Sequence, residues 1–153
     1  MEQQQTFSQL KESEIENILE MMYDFYSIDH YPFDEQLTRQ NLYQFIKNPY
    51  WGQVFMIYNE QGIAIGYIVM AYMFSFEFGG KIAFLDELFL GEKARGKGYG
   101  KKAVDFIKKF AAAQDLKVVM LEVERHNHNA LELYRGKGFQ SHHRDLMIYH
   151  PQN

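Results

Sequence analysis

Between an apolar run that ends at Leu90 and a basic, helix-patterned run from Lys101 to Ala113 stands Arg95-Gly96-Lys97-Gly98-Tyr99-Gly100, with glycine at every second position. A chain that leaves a strand, turns through residues free to take positive φ and enters a helix aims several backbone N–H groups at one point. Anions bind at such points. The nucleotide loops fit poorly, because neither Lys97 nor Lys101 is followed by Ser or Thr and the glycine order is not G-x-G-x-x-G. The segment therefore calls for a strand–turn–helix unit with a phosphate cradle at its corner.

At 153 residues, the chain suits a single domain, residues 1–153, able to bury roughly two-thirds of its unfolded surface. A hydrophobic content of 46% with three prolines argues against disorder, and neither a linker nor an internal repeat is visible. The start, Met1 to Gln5, is polar and lacks the basic and apolar regions of an export signal. The longest apolar stretch, Ile63 to Phe74, contains Gly66 and is too short to span a bilayer. The expectation is a soluble, cytoplasmic protein. The absence of cysteine excludes disulfides, thiolate metal sites and a cysteine nucleophile. Charge is polarised: residues 1–60 carry ten acids against three bases, residues 91–109 seven bases against two acids. A basic glycine loop suits a polyphosphate, and an acidic first half suits a cation.

Thr6 to Lys11 reads as a short strand, and Ser13 with Glu16 as a capping box before a helix whose apolar face is Ile15, Ile18, Leu19, Met22 and Phe25. A second helix follows from about Asp34 with Leu37, Asn41, Leu42, Phe45 and Ile46, ending near Asn48-Pro49. The aromatic stretch Tyr26 to Phe33 between them, with His30, is packing or the lining of a substrate pocket. Gln53 to Tyr58 and Ile63 to Met73 read as antiparallel strands joined by a turn at Asn59-Glu60-Gln61-Gly62. Further strands are expected at Ile82 to Leu90 and Lys117 to Val123, with a closing pair at Phe139 to Ser141 and Leu146 to Tyr149. Two more helices run from near Gly98, burying Ala103, Val104, Ile107, Phe110 and Ala111, and from about Asn129 to Lys137. Helices that alternate with strands only in the second half imply a mixed sheet.

Two carboxylates, Asp86 and Glu87, interrupt the apolar run Ala83 to Leu90. Adjacent strand residues point to opposite faces, so at most one faces a given cleft. A carboxylate in partly dry surroundings has a raised pKa and serves as a general base near neutrality; a structural acid capped by backbone N–H groups or paired with a lysine is the alternative. His126 and His128 read as surface residues, and no metal is expected.

The stretch from Glu122 to Phe139 completes the pattern. A strand, Asn-x-x-Ala-x-x-x-Tyr-x-x-x-Gly-Phe and another strand, lying after Arg-x-x-Gly-x-Gly, resemble the GNAT superfamily of acetyl-CoA-dependent N-acetyltransferases over roughly residues 55–149. The resemblance implies an α/β fold with a mixed, largely antiparallel sheet, flanking helices and splayed central strands. It implies that Arg95, Gly96, Lys97, Gly98, Tyr99, Gly100 and Lys101 hold the CoA pyrophosphate through backbone N–H groups. Leu88, Phe89 and Leu90 match the splayed strand, whose free backbone groups pair with the pantetheine arm and polarise the thioester carbonyl. Asn127 matches an asparagine contacting pantetheine, and Tyr134 the tyrosine that protonates the departing thiolate.

The chemistry supports Tyr134 independently: a thiol of pKa about 8.5 leaves as an anion, and a phenol of pKa about 10 can donate to it. Core packing is the competing role for that tyrosine, and helix capping for Asn127 and Asn129. In the polyamine acetyltransferase branch a similar strand carries Glu followed by Asp, whereas here the order is Asp86 then Glu87, which leaves the base open between them. The expected activity is direct transfer of acetyl from acetyl-CoA to a primary amine, with a small cationic amine such as a polyamine as acceptor. A protein lysine or N-terminus, and an acyl-CoA sensor without turnover, are the alternatives. No nucleic-acid or membrane partner is expected, and exposed aromatic strands at the C-terminus would be compatible with a homodimer.

Overall fold

The computed structural model describes residues 5–152, so the polar Met1–Gln4 stretch considered for export lies outside them. The chain forms two compact units, one through Glu122 and one from Val123. The first runs β1 (Phe7–Gln9), α1 (Ile15–Ile28), α2 (Glu35–Lys47), β2 (Gly52–Tyr58), β3 (Ala64–Ser75), β4 (Gly80–Leu90), α3 (Tyr99–Ala113) and β5 (Val119–Leu121). The second contains α4 (His128–Gly136). Among the described residues no helix is long and apolar enough to cross a membrane.

The five strands form one sheet in chain order, antiparallel from β1 to β4, with β5 parallel to β4. Turn chemistry sets the β2–β3 hairpin: the Asn59 side chain accepts from the Gln61 and Ile63 amides at 3.0 and 2.9 Å, and Gly62 supplies φ +74°. Strand alternation then divides the core. Val54, Met56, Tyr67, Val69 and Phe89 join Ile15, Ile18, Leu19 and Met22 of α1 and Leu42 of α2 in one buried cluster. Phe55 meets Phe106 and Phe110 of α3 at 4.9 and 5.1 Å between ring centroids. With both faces covered, the inner strands read as near-continuous apolar runs.

Local sequence accounts for most helix ends. Asp34 caps α2, its carboxylate accepting from the Leu37 amide at 3.0 Å. Ser13 is not the cap of α1; it lies inside a 3-10 turn, Glu12–Glu14, that precedes the helix. The reach-back bond is made two residues earlier, from the Lys11 amide to Glu14 Oε1 at 2.9 Å. Glu16 is thereby freed to form a two-pronged pair with Arg39, at 2.8 and 3.0 Å, and Arg39 also meets Glu35 at 3.1 Å, so one guanidinium ties α1 to α2.

The expected closing strands at 139–141 and 146–149 are not formed, and residues 140–152 carry no regular structure. Leu146, Met147, Ile148 and Tyr149 are exposed. Apolar, β-branched sequence is realised as strand only where a ladder partner and a covered face are both present, and this stretch has neither.

β3 and β4 approach closely at Gly66, opposite Leu90, where a Cβ would press on the Phe89 carbonyl oxygen. Gly66→Ala is expected to cost about 2 kcal/mol, roughly 5 °C in Tm. Calorimetry on the purified variant checks this; an unchanged Tm contradicts the close approach.

Candidate active site

Strand β4 carries the candidate chemistry, and its two edges differ. Toward β3 it is paired from Gly80 to Leu90, with one irregularity: Val69 pairs with Glu87 and the next residue, Met70, with Leu85. Asp86 is therefore the extra residue of a bulge, and the side-chain alternation is reset there. Toward β5 the ladder covers only Ala83, Phe84 and Leu85 against Val119, Met120 and Leu121. Beyond that point β4 runs on to Leu90, and among the described residues no strand pairs with Leu88, Phe89 and Leu90 on this edge. This is the expected splay. The Phe89 side chain is buried, with Phe25 and Tyr67 around it at 5.7 Å, so its contribution at the free edge is backbone alone.

The bulge separates the two acids. Asp86 is exposed, whereas Glu87, opposite Val69, is half-buried on the face covered by α1. There its carboxylate is held at both oxygens: Tyr26 Oη of α1 donates to Oε2 at 2.9 Å and Tyr67 Oη of β3 donates to Oε1 at 2.7 Å. Tyr67 is fully buried. Burial pushes the Glu87 carboxyl above its ordinary value; the two tyrosine bonds pull it down, and the neighbouring Asp86 charge adds to the rise. The Asp86 carboxyl is raised by partial loss of solvent. Both phenols are pushed up, by burial first and by the Glu87 charge second, and so stay protonated donors.

Past Leu90 the chain turns through Glu92–Ala94 into the glycine loop. Gly96 and Gly98 take φ +73° and +79°, which glycine adopts without strain. Gly98 is the N-cap of α3 and offers no side chain to the first-turn amides, which have no acceptors within the helix. A Cβ at Gly96 or Gly98 would meet nothing within 4 Å, so these glycines serve conformation and access rather than packing. Arg95, Lys97 and Lys101 are exposed around the helix end, while Tyr99 turns its ring into the core. Free first-turn amides, the positive end of the helix dipole and three exposed cations are thus gathered at one helix start.

In the second unit Asn127 caps α4, its Oδ1 accepting from the Ala130 amide at 3.1 Å. Tyr134 is half-buried with its ring 5.6 Å from Phe139, and burial pushes its phenol up to about 12. At neutral pH the phenol is protonated.

A cavity of about 490 Å³ lies between α1 and the start of α2, lined by Leu19, Glu20, Tyr23, Asp24, Phe33 and Glu35. Phe33 packs edge-on against both Tyr23 and Tyr26, at 5.9 and 5.5 Å. The cavity is thus one ring away from the tyrosine that bonds Glu87. Of the Tyr26–Phe33 stretch considered as pocket lining, Phe33 lines the cavity and Tyr26 packs against Phe33 without lining it. Sequence reasoning missed Tyr26 and Tyr67 as partners of Glu87. The available signal was chemical: a tyrosine on the buried face of a helix or strand needs an acceptor for its hydroxyl, and an acid inside an apolar run needs donors.

Because the folded chain holds the Glu87 proton more tightly than the unfolded chain, this group's contribution to stability is present below its ordinary pKa of 4.5 and is lost as pH rises through the raised value. Glu87→Gln is therefore expected to gain Tm relative to wild type between pH 4 and pH 8. A difference that stays constant across this range contradicts the assignment.

Comparison with known proteins agrees with this architecture. The sequence profile of the Acetyltransferase (GNAT) family matches residues 16–139. The uncharacterized N-acetyltransferase YhfO of Bacillus subtilis (strain 168) is 32% identical over 87 residues, which span 57% of this chain and 58% of that protein's length. Among solved structures, an integron cassette protein from the mobile metagenome of Cole Harbour Salt Marsh superposes with a TM-score of 0.85 at 22% identity, over 97% of this chain and 91% of that one. A possible acetyltransferase of Clostridium difficile 630 also superposes with a TM-score of 0.85, at 14% identity over 96% and 97%. The profile match covers most of the chain and the structural neighbours share its open sheet, so this chain belongs to the GNAT family of acetyltransferases.

Proposed function

We propose that this chain transfers an acetyl group from acetyl-CoA directly to a primary amine, and that the acceptor is a small cationic amine such as a polyamine. The observation that carries the donor half is the capless, glycine-opened start of α3 beside the free edge of β4, flanked by Arg95, Lys97 and Lys101. Those residues hold the pyrophosphate of CoA. The acceptor half is supported by the cavity beside α1, where Glu20 and Asp24 add to Glu35 and the rings of Tyr23 and Phe33 offer π-faces to an ammonium group.

In this reading the residues divide the work as follows. A carboxylate of β4, Asp86 or Glu87, takes one proton from the ammonium form of the acceptor, which a free amine of pKa about 10.4 otherwise retains. The neutral nitrogen attacks the thioester carbonyl carbon, whose oxygen is met by a backbone N–H of Leu88–Leu90. The C–N bond forms and the C–S bond breaks. By its place in the family motif, Tyr134 gives its proton to the leaving thiolate and recovers one through water from the nitrogen, while Asn127 contacts the pantetheine arm. Amide, free thiol and one released proton balance the ammonium and thioester consumed. No covalent enzyme intermediate is needed, and holding the two substrates in contact supplies much of the rate.

Thiol release from acetyl-CoA across polyamines, aminoglycosides, amino acids and lysine peptides, with hydrolysis as the blank, tests this reading. A rate that depends on polyamine is expected. A rate only with lysine peptides moves the acceptor to protein, and acetyl-CoA binding without any amine-dependent rate makes the chain a sensor. Tyr134→Phe is expected to lower kcat by about 100-fold with little change in acetyl-CoA affinity. Equal turnover removes Tyr134 as the acid.

A further inference from the structure

We propose that Tyr26 and Tyr67 are positioning residues that clamp Glu87, one hydroxyl on each carboxylate oxygen, so that Glu87 rather than Asp86 takes the proton of the incoming amine. The inference rests on the transferase reading above and deepens it.

The geometry distinguishes the two acids. An ionised carboxylate has about four lone-pair sites. Tyr26 and Tyr67 occupy one on each Glu87 oxygen, at 2.9 and 2.7 Å, which leaves each oxygen a site for an ammonium N–H. The tyrosines come from two different elements, α1 and β3, so the carboxylate cannot turn about its terminal bond without breaking at least one bond. Asp86, at the exposed bulge, has no such brace among the described residues. Glu87 remains only half-buried, so a substrate can reach the free side of a fixed group. Fixation matters because a proton acceptor works only within hydrogen-bond reach of the reacting nitrogen, and an oriented one avoids the entropy of finding it. Tyr26 also packs against Phe33, which lines the anionic cavity, so the same tyrosine connects the cation-attracting cleft to the base.

The clamp also sets the pH at which the base is ready. The titratable groups acting on the Glu87 carboxyl are Tyr26 from α1, Tyr67 from β3 and Asp86 beside it on β4; Val69, its cross-strand partner, brings none. Both hydroxyls favour the ionised carboxylate, and the Asp86 charge opposes it. Removing a tyrosine hydroxyl and removing the Asp86 charge therefore act in opposite directions.

The test is the acid limb of kcat at saturating amine and acetyl-CoA, measured for wild type, Tyr26→Phe, Tyr67→Phe, Asp86→Asn and Glu87→Gln. Tyr26→Phe keeps the ring between Phe25 and Phe33, at 6.0 and 5.5 Å, and deletes only the hydroxyl. It is expected to move the limb up by about one pH unit, the size set by losing a hydrogen bond to a charged group. Asp86→Asn should move it down, and Glu87→Gln should abolish it. A limb lost in Asp86→Asn and kept in Glu87→Gln makes Asp86 the base and overturns the inference, while the transferase reading stands.

Titration of the Glu87 carboxyl carbon by NMR, in wild type and Tyr26→Phe, reads the clamp without turnover and covers a Tyr67→Phe variant that does not fold. An unchanged titration midpoint in Tyr26→Phe overturns the clamp. If wild type transfers acetyl to no amine, the transferase reading and the proton-accepting role of Glu87 fall together, and a shifted midpoint then leaves the two tyrosines with an orienting role alone.

Discussion

Strand β4 is paired to β3 along its length but to β5 over only three residues, and both candidate subsites follow from that asymmetry. On the edge facing β5, the ladder ends at Leu85 and leaves Leu88 to Leu90 beyond it. The chain then needs only a short turn and two left-handed glycines to bring the amides of α3 to bear beside them. On the edge facing β3, the ladder accommodates one residue too many at Asp86. Without that bulge Leu85 and Glu87 would share a face by simple alternation. With it, Leu85 packs beside Met70 in the core while Glu87 faces α1 beside Val69. A ladder irregularity of one residue thus decides which of two adjacent acids meets the tyrosines.

Holding a carboxylate in that position is costly, and the surrounding residues show how the cost is offset. Burial alone disfavours the charge; two phenol donors return part of it, and the Asp86 charge works against them. The result is a carboxylate closer to neutrality than a surface glutamate and fixed in direction, which suits proton acceptance better than mere anchoring of a helix. The basic cradle and the acidic cleft are likewise opposed in sign. In the proposed reaction an anionic donor and a cationic acceptor would each be drawn to the surface that repels the other, which would separate two substrates that must meet head to head.

Much of this was legible in the chain. The strand–glycine–helix unit, both N-terminal helices and the β2–β3 turn followed from local pattern, because capping side chains, apolar periodicity and positive-φ glycines act within a few residues. Non-local relations were not legible. Ser13 with Glu16 reads locally as a capping box, yet Glu16 pairs with Arg39 on α2, a partner 23 residues away. The bulge at Asp86 has no sequence marker, since a ladder register belongs to a pair of strands. Tyr26 and Tyr67 lie 61 and 20 residues from Glu87, and only the folded sheet shows that their hydroxyls converge. Residues 146–149 are apolar enough for a strand, yet they stay exposed, because propensity does not supply a partner.

Donor binding at the glycine loop is the claim on which the rest depends, and titration calorimetry of acetyl-CoA into wild type and Gly98→Asp tests it most directly. Position 98 looks onto open space, so an aspartate there displaces no core atom and sets a carboxylate, at a strained positive φ, before the amides that would receive pyrophosphate. The account predicts a saturable heat for wild type and its loss in a variant that remains folded. Equal affinity in the two proteins would contradict it.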